Sequence, residues 1–187
     1  MKKKKNNNKY VILLILSLLI LGFILIISIS IYTSGNNNIS GSLKSSKTSS
    51  NNLTSALFFT NSHNKVEKIG GQSNNVQVIF SMEAGCSDCA ILAKELATIS
   101  EKYSNVKFYG VDINSADSYS ELIPWINSIT QGKGNISYVI SKNSNFLQEY
   151  KVTSLDTLYI INKKGDLVYR SFFPSENSIE RTLSFLS

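Results

Sequence analysis

Val76-Gln77-Val78-Ile79-Phe80-Ser81-Met82-Glu83-Ala84-Gly85-Cys86-Ser87-Asp88-Cys89 is the stretch that decides the fold. Its first five residues are β-branched and aromatic around a single glutamine, the composition of a buried strand. From Cys89 onward the apolar positions are Cys89, Leu92, Leu96, Ile99 and Tyr103, spaced by three or four. That spacing is one face of a helix, and Lys94, Glu95, Thr98, Glu101 and Lys102 fall off it. Two cysteines separated by two residues thus lie where a buried strand turns into a helix, and they open that helix.

The position explains the chemistry. The free N–H groups and the dipole at a helix N-terminus stabilise a thiolate, the nucleophile of disulfide exchange. A spacing of three lets the second thiol reach back across the first turn and resolve a mixed disulfide. Cys86 is therefore the expected exposed attacker, and Cys89, on the apolar face, the expected buried resolving thiol. Other uses of the pair are weaker. A tetrahedral zinc site needs about four ligands, whereas the chain offers two cysteines and one histidine, His63. A purely structural disulfide would close a loop of only about four residues and gain little loop entropy. With one histidine no Ser/His/Asp set can be built, and no glycine loop suited to phosphate is present. His63 reads as a surface turn residue and Trp125 as core.

Outward from the pair, strand and helix signals alternate. Residues 56–60 and 65–69 suggest a hairpin about Asn61-Ser62-His63-Asn64. Residues 106–111 read as a strand and 118–129 as a helix, with Pro124 near its start or at a kink. Residues 136–140 read as a strand and 146–150 as a helical turn. Residues 157–161 and 167–172 form a hairpin, and a last helix is expected from about Ser178. Strand–helix–strand followed by an antiparallel hairpin and a helix predicts an α/β domain, a central mixed sheet flanked by helices, over residues 55–187.

The N-terminal region is different. Residues 1–10 hold five lysines and no acid, a basic cytoplasmic tail. Residues 11–31 are Val, Ile, Leu and Phe, broken only by Ser17, Gly22, Ser28 and Ser30. At about 1.5 Å per residue such a run crosses the roughly 30 Å of a bilayer core. It is longer than the apolar core of a signal peptide, and no Ala-x-Ala pattern follows it. Residues 11–32 are thus expected to be an uncleaved transmembrane signal anchor. The lysines on its N-terminal side keep that end cytoplasmic and send the rest across. Residues 33–54, rich in Ser and Asn, read as a flexible linker. The net charge of +6 comes from this region: from Asn51 onward twelve Lys/Arg face thirteen Asp/Glu, a net of −1. Nucleic acid is therefore not an expected partner.

These features resemble the thioredoxin superfamily, and within it the membrane-anchored TlpA-like and ResA-like thiol–disulfide oxidoreductases. The resemblance covers roughly residues 56–186. It rests on the strand–C-x-x-C–helix unit, the strand of residues 106–114, and Tyr150-Lys151-Val152-Thr153-Ser154-Leu155-Asp156-Thr157-Leu158-Tyr159-Ile160-Ile161 leading into Lys164-Gly165-Asp166-Leu167-Val168-Tyr169. Residues 118–150 match the helix and strand that such proteins insert. The resemblance implies a thioredoxin-like fold behind the anchor, a redox-active Cys86–Cys89 disulfide, no cofactor, and protein dithiols or disulfides as substrates. It also implies a membrane or extracytoplasmic redox partner and, as one setting, cytochrome c maturation.

Two departures matter. The family usually has tryptophan before the first cysteine; here Gly85 stands there. Its Pro-Thr pair, with a cis proline beside the cysteines, reads Asp156-Thr157. A cis bond before a non-proline costs about 3–4 kcal/mol, so Leu155–Asp156 is expected to be trans or strained, with Leu155, Asp156 and Thr157 as a modified substrate loop. Acids surround the pair: Asp88 beside Ser87 inside the motif, Glu83 before it, Asp156 opposite. Negative charge disfavours thiolate and points to a reducing poise. Two rival readings are a thioredoxin-fold binding module of little turnover and a metal carrier using Cys86, Cys89 and Asp156.

Overall fold

The computed structural model of the chain describes residues 53–186. The expected tail, anchor and nearly all of the expected linker lie outside them. Among the described residues no helix is long and apolar enough to cross a membrane.

A hairpin of β1 (Leu57–Thr60) and β2 (Val66–Ile69) comes first. The alternating part follows as β3 (Val76–Met82), α1 (Ser87–Lys102), β4 (Val106–Asp112), α2 (Tyr119–Thr130) and β5 (Ile136–Ile140). The short α3 (Asn145–Glu149) leads to β6 (Thr157–Ile161) and β7 (Leu167–Phe172), and α4 (Glu176–Ser184) closes the domain. Five strands form one sheet in the order β5-β4-β3-β6-β7. β3, β4 and β5 are parallel, with α1 and α2 as the crossovers that parallel pairing requires. β6 runs antiparallel to β3, and β7 antiparallel to β6.

β3 is buried at every position, as a strand paired on both edges and covered on both faces must be. Its alternation splits the core. Val76, Val78, Phe80 and Met82 join Cys89, Leu92, Leu96 and Ile99 of α1, together with Ile179 and Leu183 of α4. Ile79 faces the other way, into a cluster with Val111, Val139, Phe146, Tyr150 and Tyr159. There Phe146 and Tyr150 pack at 4.8 Å and Tyr150 and Tyr159 at 5.2 Å between ring centroids. His63 is exposed, as expected, whereas Trp125, expected in the core, lies half-buried against the first cluster.

One helix differs from expectation. α4 starts at Glu176 on an N-cap at Ser175, not near Ser178. Its first turn is polar and carries no apolar period, so only Ile179 and Leu183 were visible as a face. In α2, Pro124 sits in the second turn. Pro124 and Ser120, whose carbonyl it leaves without a helical donor, are both exposed, so water can take the bond. The helix is secured at its entry by a capping box between Ser118 and Glu121.

Leu96 is fully buried between α1 and the sheet. Leu96→Ala should cost about 2–5 kcal/mol by loss of transfer energy plus a cavity, read as a lower urea midpoint with an unchanged slope.

Candidate functional site

Cys86 is the N-cap of α1, with extended backbone at φ −71° and ψ 120°. Its Sγ accepts a hydrogen bond from the Cys89 amide at 3.2 Å, the place a serine or aspartate oxygen takes in an ordinary cap. Gly85 precedes it at φ +82°, a conformation that side chains rarely adopt and that turns the end of β3 into the helix. Cys86 is half-buried and Cys89 fully buried on the apolar face. The two are joined in a disulfide with Cα atoms 5.3 Å apart. In the reduced pair the free amides of the first turn would face the Cys86 sulfur and favour its ionised form.

The opposing loop is held by the start of β6. Among the described residues every peptide bond is trans, Leu155–Asp156 included. Asp156 instead adopts a left-handed φ of +59°, which Asp tolerates better than most residues. Two backbone bonds fix it: its amide donates to the Ser81 carbonyl at 2.8 Å, and its carbonyl accepts from the Phe173 amide at 2.9 Å. Phe173 is itself left-handed at φ +42°. Ser81, buried in β3, ties the same loop through its hydroxyl, donating to the Ser154 carbonyl at 3.1 Å and accepting from the Thr157 amide at 3.3 Å. The result places a carboxylate oxygen of Asp156 and both cysteine sulfurs within 4.8 Å of one another. Asp156 is buried, and its Oδ1 has no hydrogen-bond partner. Burial, helped by the negative charge of Asp88, raises its carboxyl above the ordinary range.

The other expected residues divide. Ser87 and Asp88 are exposed in the first turn of α1, where Asp88 favours the helix dipole. Leu155 packs half-buried against the α1 core, and Thr157 is buried, its hydroxyl donating to the Ser154 carbonyl at 3.0 Å. Glu83 is engaged elsewhere: its Oε1 accepts from the Asn114 side chain at 3.1 Å.

That bond belongs to a network which sequence reasoning missed. Asp112 ends β4 opposite Met82 and is fully buried. Its Oδ1 accepts from the Asn114 amide at 2.9 Å, while Oδ2 has no partner. Asn114 also donates to Asp117 Oδ1 at 2.8 Å, and Asp117 Oδ2 accepts from the Ala84 amide at 3.3 Å. These groups hold the Glu83-Ala84-Gly85 turn that delivers the chain to Cys86. The available signal was the Asp112-x-Asn114 pattern at a strand end, the mark of an Asx turn.

No protein-family model matches the chain. A curated relative, the mercury resistance operon ORF3 protein of Streptomyces lividans, is 26% identical over 109 residues. The match covers 56% of this chain, and the chain spans 57% of that relative. Among solved structures, a thioredoxin-like protein from Aeropyrum pernix superposes with a TM-score of 0.59 at 20% identity, covering 70% of this chain and 89% of its own. A putative thiol:disulfide interchange protein DsbE from Chlorobium tepidum gives 0.61 at 13% identity, covering 72% and 96%. The likeness is one of fold: the described residues form a thioredoxin-like α/β domain, a central mixed sheet flanked by helices.

Burial, then the adjacent Asp117 charge, pushes the Asp112 carboxyl up to about 7. A folded-state pKa above the unfolded value means the neutral acid suits the fold; stability falls as pH rises from about 4 towards about 7 and then levels. Asp112→Asn should therefore raise the urea midpoint over the wild type at pH 8 and show no gain at pH 4. The Asp156 loop gives a second expectation. Asp156→Pro cannot reach φ +59° and loses the bond to Ser81, so its melting temperature should drop, whereas Asp156→Gly keeps both backbone bonds and should stay closer to wild type.

Proposed function

We propose that this chain is an extracytoplasmic thiol–disulfide oxidoreductase of the TlpA-like or ResA-like kind, tethered by residues 11–32 with its N-terminus in the cytoplasm. The observation that carries this reading is the asymmetry of the pair: Cys86 half-exposed as the cap of α1, Cys89 buried one turn later, joined as a disulfide. In the reducing direction the Cys86 thiolate attacks a substrate disulfide, and one substrate sulfur leaves and takes up a proton. Cys89 then attacks Cys86 Sγ, gives up its own proton, and expels the second substrate thiol. Two electrons pass to the substrate, and the Cys86–Cys89 disulfide remains. A membrane or extracytoplasmic dithiol must re-reduce it. Reduction of apocytochrome cysteines is a setting this chemistry suits. The name of the Streptomyces relative places that protein in an operon against a thiol-seeking metal, another setting in which a reactive dithiol is useful.

A carboxylate this near the sulfurs supports a reducing poise, since it disfavours the thiolate form of the reduced pair and leaves the disulfide untouched. Asp156→Asn should make the reduction potential less negative, by about 30 mV for each 1.4 kcal/mol of repulsion relieved; an unchanged potential would mean the carboxylate does not set the poise.

Trapping tests the exchange itself. With Cys89→Ser, a mixed disulfide to partner proteins through Cys86 should accumulate on non-reducing gels and vanish with reductant. Cys86→Ser should trap nothing and abolish turnover; trapping through Cys89 instead would reverse the roles. The anchor is tested separately: carbonate extraction at high pH should leave the full-length chain in the membrane pellet, and a soluble product starting after Tyr32 would show cleavage.

A further inference from the structure

Three potential ligands, two thiols and a carboxyl, converge on one point. Cys86 and Cys89 come from the first turn of α1, and Asp156 comes from the loop that opens β6. Both sulfurs and one carboxylate oxygen lie within 4.8 Å of one another. The carboxylate is not there for want of another place. Asp156 is only 4% exposed, its backbone is fixed by bonds to Ser81 and Phe173, and its Oδ1 has no donor. No ion pair among the described residues includes it, and the charged group that acts on it is the acidic Asp88. A buried polar atom without a partner costs about 1–3 kcal/mol, and more when charged. A buried carboxyl with one oxygen unpartnered and an oxygen within 4.8 Å of two sulfurs is suited to receive a cation once the sulfurs are free.

We propose that, when the Cys86–Cys89 disulfide is reduced, Cys86 Sγ, Cys89 Sγ and an Asp156 carboxylate oxygen bind one divalent d10 cation of the zinc type. Two thiolates and a carboxylate are the donor set of a borderline-soft cation; magnesium and calcium take oxygen alone. Three protein ligands leave a fourth position of a tetrahedron free, the pattern of an exchangeable site rather than a closed structural one. Cys86 is half-buried and its neighbours Gly85 and Ser87 are exposed, so the Cys86 side of the site is open to solvent.

Binding displaces the two thiol protons, together with any proton on Asp156, and moves no electrons. Oxidation of the pair, its two electrons passing to a substrate disulfide that leaves as two thiols, joins the sulfurs to each other and removes two of the three ligands, so the cation leaves. The site thus exists in one redox state only, and the disulfide and the cation exclude each other. This inference needs a reducible pair but no exchange turnover, so a failure of exchange and a failure of binding appear in different assays.

The test is equilibrium competition for zinc. Full-length chain in detergent, reduced with a non-thiol phosphine, is titrated with Zn2+ against a chromogenic chelator. One zinc per reduced chain is expected, and none after oxidation to the disulfide. Cys86→Ser and Cys89→Ser should each lose the site. Asp156→Asn, which keeps the shape, and Asp156→Gly, which accepts the left-handed backbone, should each weaken binding by roughly tenfold or more, the lower end of what even outer-shell changes do to metal sites. No zinc on the reduced wild type, equal binding by the oxidised chain, or unchanged affinity in both Asp156 variants would overturn the proposal, the last by reducing the site to a bare dithiol.

Discussion

Burial of β3 at all seven positions is the constraint on which the rest of this domain depends. A strand with no exposed side chain must be paired along both edges and roofed on both faces. Its parallel partner β4 can be reached only by a crossover, and α1 is that crossover. The start of α1 is therefore forced to the carboxyl end of β3, where the chain leaves the core. Its antiparallel partner β6 must begin at that same end, because its register sets Phe80 against Leu158. The cysteine pair and the Asp156 loop come from segments some seventy residues apart, yet one strand's need for neighbours puts them side by side.

Electrostatics at that end of the sheet are one-sided. Glu83, Asp88, Asp112, Asp117 and Asp156 gather around a short stretch of chain, and the positive partners are mainly backbone N–H groups and the Asn114 amide. The acids do different work. Glu83, Asp112 and Asp117 are tied into a network that shapes the turn before Cys86. Asp88 stands in solvent and favours the helix dipole. Asp156 alone is directed at sulfur without a donor of its own. The helix N-terminus and Asp156 thus act on the pair in opposite senses, the first favouring thiolate and the second opposing it unless a proton or a cation takes up its charge.

How legible this was in the sequence depended on range. The β3–α1 unit could be read because a β-branched and aromatic run and an apolar spacing of three to four are local signals, and Cys86 and Cys89 fall where one gives way to the other. The strands of residues 106–111, 136–140 and 157–161 were readable for the same reason. The polar first turn of α4 has no period, so its start was set too late. Asp156 was noticed only through resemblance, as an odd residue where a proline is usual. Its left-handed backbone could not be read, since it comes from bonds to Ser81 and Phe173, one on a neighbouring strand and the other beyond the turn of a hairpin. Asp112 was passed over because an acid at a strand end usually faces water, and only the packing of β3 against β4 encloses it.

Aspartate at residue 156 has a single physical meaning at two levels. A proline has no amide hydrogen and fixes φ near −65°, so it cannot make the bond that Asp156 makes to the Ser81 carbonyl, nor turn its backbone left-handed. Aspartate gains that bond and so anchors the loop to the central strand through the main chain. The left-handed turn that accompanies the bond comes with a carboxylate oxygen within 4.8 Å of both cysteine sulfurs. The main chain therefore delivers the side chain: with the loop pinned in this way, a titratable oxygen stands beside the sulfurs of the disulfide. In the disulfide it has no charge to meet, and burial raises its carboxyl above the ordinary range. In the dithiol it becomes the third member of a set of acidic ligands, and the state of the pair decides whether a proton or a cation best fits that oxygen.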